Sequence, residues 1–143
     1  MKKATLILIF VLVCLAIILA DNKLHRKLSL IATTDPPSAL MLKNMKEQIE
    51  CAKKAGFIIE EPTLRVMKPP YAKNLYHGLA YMDLNLILLV NFASYETLAH
   101  ELGHIVDAQS GRKGPQFDAI RKLPVQAFAD AIKDIILSKC RSY

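Results

Sequence analysis

An uncharged apolar run near the start of the chain constrains its fold more than any other feature. After Met1, Lys2 and Lys3 come seventeen residues without a charge, "ATLILIFVLVCLAIILA", from Ala4 to Ala20. This length is the lower limit for a membrane-spanning helix and slightly exceeds the core of a usual signal peptide. The run therefore inserts into a bilayer, and residues 1–20 are predicted to be a transmembrane anchor or a signal peptide.

The residues around the end of this run leave cleavage and orientation open. A peptidase that cut after Ala20 would find bulky Ile18 two positions earlier, where a small residue is preferred. This favours a membrane protein with a single retained anchor over a secreted protein whose signal is removed. The basic residues Lys23, Arg26 and Lys27 follow the run and balance the two lysines before it, so the positive-inside bias does not orient the chain.

The remaining chain is long enough for one small domain. Residues 35–143 are predicted to form it, after a basic juxtamembrane linker at residues 21–34. The net charge of +6 has its first concentration in this linker, beside the lipid headgroups. Because no basic motif is interleaved with aromatic residues, nucleic acid is not a predicted partner. Cys14 lies in the apolar run, which leaves Cys51 and Cys140 as the candidate disulfide pair, without the CxxC spacing of a cysteine zinc site.

Hydrophobic patterning in the first half of the domain predicts one helix and several short strands, and hence an α+β fold. The stretch "DPPSALMLKNMKEQIECAKKAG" is predicted to be a helix with Asp35 as N-cap, Pro36 at its first position and Gly56 at its end. "FIIEE" and "TLRVMK" are short β-type runs. Leu84 to Val90 is predicted to be an inner strand covered on both faces, with Gly78 to Tyr81 as its neighbouring edge strand.

Two more helices are predicted in the second half. Ser94 is expected to cap a helix from Tyr95 to about Gln109, which the glycine at position 111 ends. The last helix begins near Pro115 or Pro124 and continues to about residue 139. Because a proline removes one helical hydrogen bond, Pro124 should kink or divide it.

The sequence His-Glu-Leu-Gly-His lies on the first of these two helices. His100 and His104 are one turn apart on one face, so both imidazoles can aim at a single cation such as zinc. Glu101 is one step round the helix, a poor ligand position but one beside a water held by that cation. This arrangement is typical of metal-assisted amide hydrolysis. Gly103 costs about 1 kcal/mol relative to alanine in mid-helix and indicates that another element packs closely against this turn.

Four stretches together, "GLAY", "LNLILLV", "TLAHELGHIVD" and "PVQAFADAI", resemble the zincin metallopeptidases. The similarity is to the gluzincin-like group that includes anthrax-lethal-factor-type domains and small peptidases of phages and mobile elements, and it covers Gly78 to about Leu137. It implies a small zincin-like domain with a short mixed sheet, an edge strand that aligns the substrate, an HExxH helix and a C-terminal helix. It also implies zinc as cofactor, His100 and His104 as ligands, and Glu101 as the general base.

The third ligand is where this chain departs from the family pattern, which is roughly Glu-x-Phe-Ala-(Glu/Asp/Asn)-Ala. The first glutamate of that pattern binds the metal, and the matching residue here is Gln126. A neutral amide is a weaker zinc ligand than a carboxylate. Asp130, four residues later on the same face, is the alternative ligand, although the resemblance implies that it orients a histidine. Asp107, three residues after His104, is a further candidate acid.

The sequence therefore predicts a zinc-dependent metallopeptidase that hydrolyses a peptide or protein. Such enzymes often stabilise the developing oxyanion with a tyrosine or histidine. No tyrosine precedes Gln126 in its helix, so His77, Tyr81 or Tyr95 would have to serve. The alternative hypothesis is a catalytically inactive, membrane-tethered pseudopeptidase that binds or regulates a partner, which the missing acidic ligand favours. A structural membrane protein without metal is a third hypothesis, and neither the substrate nor the oligomeric state is predicted.

Overall fold

The computed structural model describes residues 2–71 and 77–141. Met1, at the start of the predicted anchor, and residues 72–76 and 142–143 of the predicted domain lie outside this part. The described residues form an α+β fold of four α-helices and one three-stranded sheet, as predicted. In chain order the elements are α1 Lys2–Ala32, α2 Ala39–Lys54, β1 Thr63–Val66, β2 Gly78–Tyr81, β3 Leu86–Leu89, α3 Tyr95–Ser110 and α4 Val125–Cys140.

Helix α1 continues well beyond the apolar run. It has 31 residues and no break at Ala20, so residues 21–32 of the linker predicted at residues 21–34 are helical. The chain between Ala20 and Pro36 contains neither glycine nor proline, and its leucine, lysine and arginine residues are good helix formers. Since adding a residue to an existing helix is easier than nucleating one, the helix extends to Ala32. It is long and apolar enough to cross a membrane or to act as a signal sequence.

The last turns of α1 pack on the domain. Arg26 Nη1 lies 2.8 Å from Asp83 Oδ2, in the short 3-10 helix Met82–Leu84. Arg65 of β1 donates a hydrogen bond of 3.0 Å to the carbonyl oxygen of Ile31. Leu30 packs against a small apolar cluster on the same side of the sheet, so this end of α1 belongs to the folded domain. The small cluster consists of Leu84, Leu86 and Leu88.

The sheet has the order β1-β3-β2 and is mixed. Strand β3 pairs in parallel with β1 and antiparallel with β2. All four residues of β3 are buried, which confirms the predicted inner strand, although Leu84 and Val90 lie outside its ends. Side chains alternate along a strand, so Leu86 and Leu88 face the small cluster while Ile87 and Leu89 enter the main core. The edge strand predicted at Gly78 to Tyr81 is confirmed as β2.

The stretch "FIIEE" does not form the predicted strand. Phe57 and Ile59 are buried in the main core while Ile58 is 87% exposed, so the alternation is real. The backbone has no strand partner there, and the Glu60 amide instead donates to the side chain of Gln109 at 2.7 Å. The apolar residues of this segment predicted a strand. The backbone amide of Glu60 instead bonds to a side chain. The strand predicted within "TLRVMK" is confirmed as β1.

The start of α2 also differs from the prediction. Ser38, not Asp35, is the N-cap, and its Oγ accepts a hydrogen bond of 3.1 Å from the backbone of Met41. Asp35 instead forms an antiparallel bridge with Val66 at the end of β1. The helix ends at Lys54, as the glycine two residues later predicts.

The caps of the last two helices agree with the sequence. Ser94 Oγ accepts a hydrogen bond of 3.1 Å from Thr97, and Gly111 ends α3 with a left-handed φ of 57°. Pro115 begins a short 3-10 helix that ends at Phe117, and Pro124 is the N-cap of α4. Pro124 therefore separates these two segments, as predicted.

Helices α3 and α4 pack most closely at Gly103. A Cβ atom built on Gly103 would lie 2.6 Å from the carbonyl oxygen and 2.9 Å from the Cα of Ala129. The contacted atoms are backbone atoms, which cannot rotate away. The glycine therefore allows the two helices to approach, as its place in mid-helix predicts.

Replacing Gly103 by alanine is expected to destabilise the domain by about 1–3 kcal/mol, the usual range for overpacking. The methyl group would favour the helix by about 1 kcal/mol but would push α4 away from α3. Urea unfolding of the full chain in mild detergent measures the net change. The control variant Ala108→Gly, at an exposed position of α3, measures how much an exchange of alanine and glycine changes the free energy of unfolding through helix propensity alone. A Gly103→Ala protein more stable than the wild type would contradict the close contact.

The two candidate cysteines form a disulfide. Cys51 at the end of α2 and Cys140 at the end of α4 are bonded, with Cα atoms 5.4 Å apart and a sequence separation of 89. Cys14 is free on α1. The bond attaches α4, the last described helix, to the first helix of the domain.

Candidate metal centre

The two histidines of α3 lie beside each other and face α4. Their Nε2 atoms are 3.2 Å apart, and their ring centroids are 4.8 Å apart. His104 is buried, whereas the side chain of His100 is 22% exposed. The helical spacing therefore brings both imidazoles to one point, and one of them remains accessible.

Helix α4 adds two polar groups on opposite sides of the His100 ring. Gln126 Oε1 lies 3.1 Å from Nε2 of His100, while Asp130 Oδ1 lies 2.9 Å from its Nδ1. Gln126 and Asp130 are one turn apart on α4, so a single helix face supplies both. Gln126 thus lies on the side of the paired Nε2 atoms, and Asp130 lies behind His100.

The hydrogen bond to Asp130 determines which nitrogen of His100 carries the lone pair. Asp130 Oδ1 accepts a hydrogen bond from the Nδ1–H of His100, which leaves Nε2 of that ring as an electron-pair donor. Nε2 then faces the oxygen of Gln126 at 3.1 Å and Nε2 of His104 at 3.2 Å. Neighbouring ligands of a tetrahedral zinc ion with bonds of about 2.0–2.1 Å are about 3.3 Å apart. Both separations from His100 Nε2 are close to this value, as expected for ligands of one zinc ion.

Burial affects His104 in two ways. Its Nδ1 is buried and has no hydrogen-bond partner among the described residues, so no group there orients this ring as Asp130 orients that of His100. Burial and the neighbouring His100 lower the pKa of His104. Partial burial would raise the pKa of Asp130, but hydrogen bonds from His100 and Lys133 outweigh it and lower that pKa. The neutral imidazole and the ionised carboxylate are the forms that a metal site requires.

Glu101 lies between α3 and β2, at the wall of the cleft that His100 and His104 also line. It is 5% exposed, and burial raises its pKa to about 7, while His100 and the backbone N–H of Ala80 act in the opposite direction. A Cβ atom on Gly78 would lie 2.8 Å from Cγ and 2.9 Å from Oε1 of Glu101. The lack of a side chain at Gly78 therefore creates the space that the carboxylate occupies.

A cleft of about 820 Å³ runs between β2, α3 and α4 and includes all five predicted site residues. This volume is typical of a ligand site. Its walls include the apolar side chains of Leu79, Met82 and Val125, which are exposed by 38–48%. Glu96 and Lys133 supply charges. The cleft can thus accept a chain with apolar side chains beside the paired imidazoles.

Of the three residues predicted as alternatives for oxyanion stabilisation, only His77 lines this cleft. Tyr81 packs against the small cluster on the opposite side of the sheet. Tyr95 lies at the start of α3, where its backbone oxygen accepts a hydrogen bond of 2.8 Å from Gln48 of α2. Of these alternatives, Tyr81 and Tyr95 therefore lie outside the cleft.

Asp107 forms an ion pair with Arg112, which the sequence did not identify as a site residue. Arg112 Nε and Nη2 each lie 2.8 Å from one oxygen of Asp107, which is a bidentate pair. The same guanidinium donates to the carbonyl oxygen of Leu123 at 2.6 Å and lies 4.0 Å from the ring centroid of Phe128. Arg112 thus stabilises the loop between α3 and α4, and Asp107 contributes to this stabilisation through its ion pair with Arg112.

Two further residues at the site were missed. Lys133 Nζ lies 3.2 Å from Asp130 Oδ1, so it helps to hold the carboxylate behind His100. A lysine three residues after an aspartate on a predicted helix was the available signal. Gly78 gave only a weak signal, a glycine at the start of a predicted strand, because its role depends on contact with α3.

The site thus combines two imidazoles, an amide oxygen and a buried carboxylate beside an open cleft. Among the described residues, no third histidine, cysteine or acid joins the histidines in a group that could hold a metal. Gln126 lies beside the paired Nε2 atoms, and Asp130 lies on the other side of His100. Comparisons of the chain with family models, with curated proteins and with solved structures found no match.

Proposed function

We propose that the protein is a zinc-dependent metallopeptidase that hydrolyses a peptide or protein. The observation that carries this proposal is the convergence of three donor atoms beside a buried carboxylate. His100 Nε2 lies 3.1 Å from Gln126 Oε1 and 3.2 Å from His104 Nε2. A zinc ion bound by these atoms would lower the pKa of a water molecule towards neutrality and polarise the carbonyl group of the scissile bond.

The chain's own residues supply the remaining steps. Glu101 takes a proton from the attacking water and delivers it to the nitrogen of the leaving amine. Asp130 holds His100 in the tautomer that presents Nε2 to the ion. His77, at the wall of the cleft, is the candidate for stabilising the oxyanion. The leucine, methionine and valine in the cleft exclude water and receive apolar substrate side chains.

The test uses the full chain in mild detergent, loaded with zinc and freed of excess metal. One equivalent of bound zinc and hydrolysis of a mixed peptide library are expected, with loss of hydrolysis on chelation and recovery when zinc returns. The variant His104→Ala should lose the zinc. The matched control His25→Ala, at an exposed histidine of α1, should keep it. Failure of the wild type to bind zinc would refute the proposal.

The second candidate function is a pseudopeptidase that keeps the metal but only binds a partner. It is favoured by one observation, since the residue beside the paired imidazoles is the neutral Gln126. An amide leaves the ion more positively charged and more weakly held than a carboxylate does. Stoichiometric zinc with a library that stays intact would support this candidate over the enzyme.

The variant Gln126→Glu is expected to bind zinc more tightly, by on the order of tenfold, because a carboxylate replaces a neutral oxygen. Competition with a chromogenic chelator measures this affinity. Gln116→Glu adds the same charge at an exposed position outside the cleft and is the control for long-range electrostatics. Equal zinc affinity in the wild type and Gln126→Glu would exclude Gln126 from the ligand set.

The variant Asp130→Asn is expected to weaken zinc binding by about 10- to 100-fold, the usual effect of losing a partner of a ligand histidine. The bound stoichiometry at saturation should stay at one. Asp134→Asn, four residues further along α4 and 77% exposed at its side chain, is the control. If Asp130→Asn removes zinc completely while Gln126→Ala has no effect, Asp130 is the third ligand and Gln126 is not.

A further inference from the structure

Helix α1 connects the apolar run to the cleft without a flexible segment. It is helical from Lys2 to Ala32, and the chain then pairs with β1 through the Asp35 and Val66 bridge. The ion pair between Arg26 and Asp83 attaches it a second time. If the apolar run spans a membrane, the domain is therefore held at a fixed height above it.

This height is small. Arg26 is six residues beyond Ala20, which is about 9 Å along a helix at 1.5 Å per residue. The headgroup layer on each side of a bilayer is about 5–8 Å thick. Asp83, which Arg26 contacts, belongs to the 3-10 helix that begins at Met82, and Met82 lines the cleft. One wall of the cleft thus lies directly above the lipid headgroups.

The disulfide indicates which side of the membrane the domain occupies. A bond between Cys51 and Cys140 forms and persists in an oxidising compartment, not in the cytoplasm. The charges that flank the apolar run nearly cancel and do not oppose this orientation. Bulky Ile18 disfavours removal of the run. The domain is therefore on the outer side of the membrane, with the amino terminus inside.

We propose that the cleft cuts the juxtamembrane segment of a second membrane-anchored polypeptide, on the extracytoplasmic side. This inference rests on the proposed peptidase function. An extended chain rises about 3.3 Å per residue, so the bond that is cut lies about three to eight residues from the substrate's own membrane span. Water adds across this peptide bond to give a carboxylate and an amine, and Glu101 carries the proton to the amine nitrogen. Met82, Leu79 and Val125 receive apolar side chains near the bilayer.

The experiment places the full chain in phosphatidylcholine liposomes with one mixed peptide library in three forms. The first form is free in solution, and the second is joined directly to a doubly acylated lipid anchor. The third has the same anchor but is lifted by a rigid helical spacer of about 24 residues, or about 36 Å. We expect the directly anchored library to be cut at least about tenfold faster than the lifted one, since only its residues reach the cleft at high effective concentration.

A variant with a longer α1 tests the height of the domain above the membrane. Two extra helical turns inserted between Asn22 and Lys23 raise the domain by about 10 Å and should shift the preference towards the lifted library. Equal cutting of both anchored libraries, together with Glu101-dependent cutting of the free library, would overturn this inference and leave the peptidase function intact. No cutting of any library would overturn both. Alkylation before cell lysis that found Cys51 and Cys140 as free thiols would overturn the extracytoplasmic location.

Discussion

Replacement of Glu101 by glutamine is expected to slow peptide hydrolysis by about 10²- to 10⁴-fold, the usual contribution of a general base. Glutamine fills the space beside Gly78 almost as well as glutamate does but cannot take a proton from water. Zinc should stay bound, since His100, His104 and Gln126 are unchanged. The measurement is kcat/KM on one library-selected peptide, with zinc content determined on the same samples.

A second glutamate provides the control for this variant. Glu61 is exposed and lies outside the cleft, so Glu61→Gln should keep the wild-type rate. If Glu101→Gln kept both zinc and full activity, the carboxylate would not be the base. If Glu101→Gln lost zinc, its rate of hydrolysis would not report on proton transfer. The zinc content and rate of Glu101→Asp would then show whether Glu101 is a base or a ligand.

Loss of the disulfide is expected to reduce the free energy of unfolding by about 4 kcal/mol, because an unfolded chain without it gains the freedom of a long open loop. The bond joins Cys51 and Cys140 across 89 residues of sequence. The double variant Cys51→Ala and Cys140→Ala should unfold at a clearly lower urea concentration in detergent. Zinc affinity should fall as well, since α4 carries Gln126 and Asp130.

The third cysteine is the matched control for the double variant. Cys14→Ser lies in the apolar run, away from the domain, and should leave the urea midpoint of the domain unchanged. Treatment of the wild type with a thiol reductant should reproduce the shift of the double variant. An unchanged midpoint in both the reduced wild type and the double variant would show that the bond adds no stability.

The parts of the fold that could be predicted depend on local signals. The caps of α3 at Ser94 and Gly111 are set by residues within one turn of each helix end, and the sequence located both. Strand β3 could be found because a strand buried on both faces has no polar positions. The division before α4 followed from the proline at position 124.

The errors lie where a distant partner decides the local structure. Asp35 is an excellent helix cap in isolation, but its backbone pairs with Val66, and Ser38 takes the cap. "FIIEE" contains residues that favour strands, yet its backbone at Glu60 bonds to Gln109, which is 49 residues away. The helical path of residues 21–32 depends on the preceding apolar helix and on packing of Leu30.

The site residues also divide into those that local geometry relates and those that a distant contact positions. His100, Glu101 and His104 could be assigned together because helical geometry alone relates them. Whether Gln126 or Asp130 lies beside the paired Nε2 atoms depends on how α4 crosses α3, and the close contact of Gly103 with Ala129 is part of that crossing. The sequence indicated a close contact at the glycine but could not identify its partner.

The order of strands in the sheet has a consequence for how the chain folds as it is synthesised. Both outer strands, β1 and β2, precede the central strand β3, and the outer strands do not pair with each other. No part of the sheet can therefore form until Leu86–Leu89 has left the ribosome. Because long-range strand pairing is slow and exposes apolar edges meanwhile, a nascent chain that stalled before this point would be prone to aggregate.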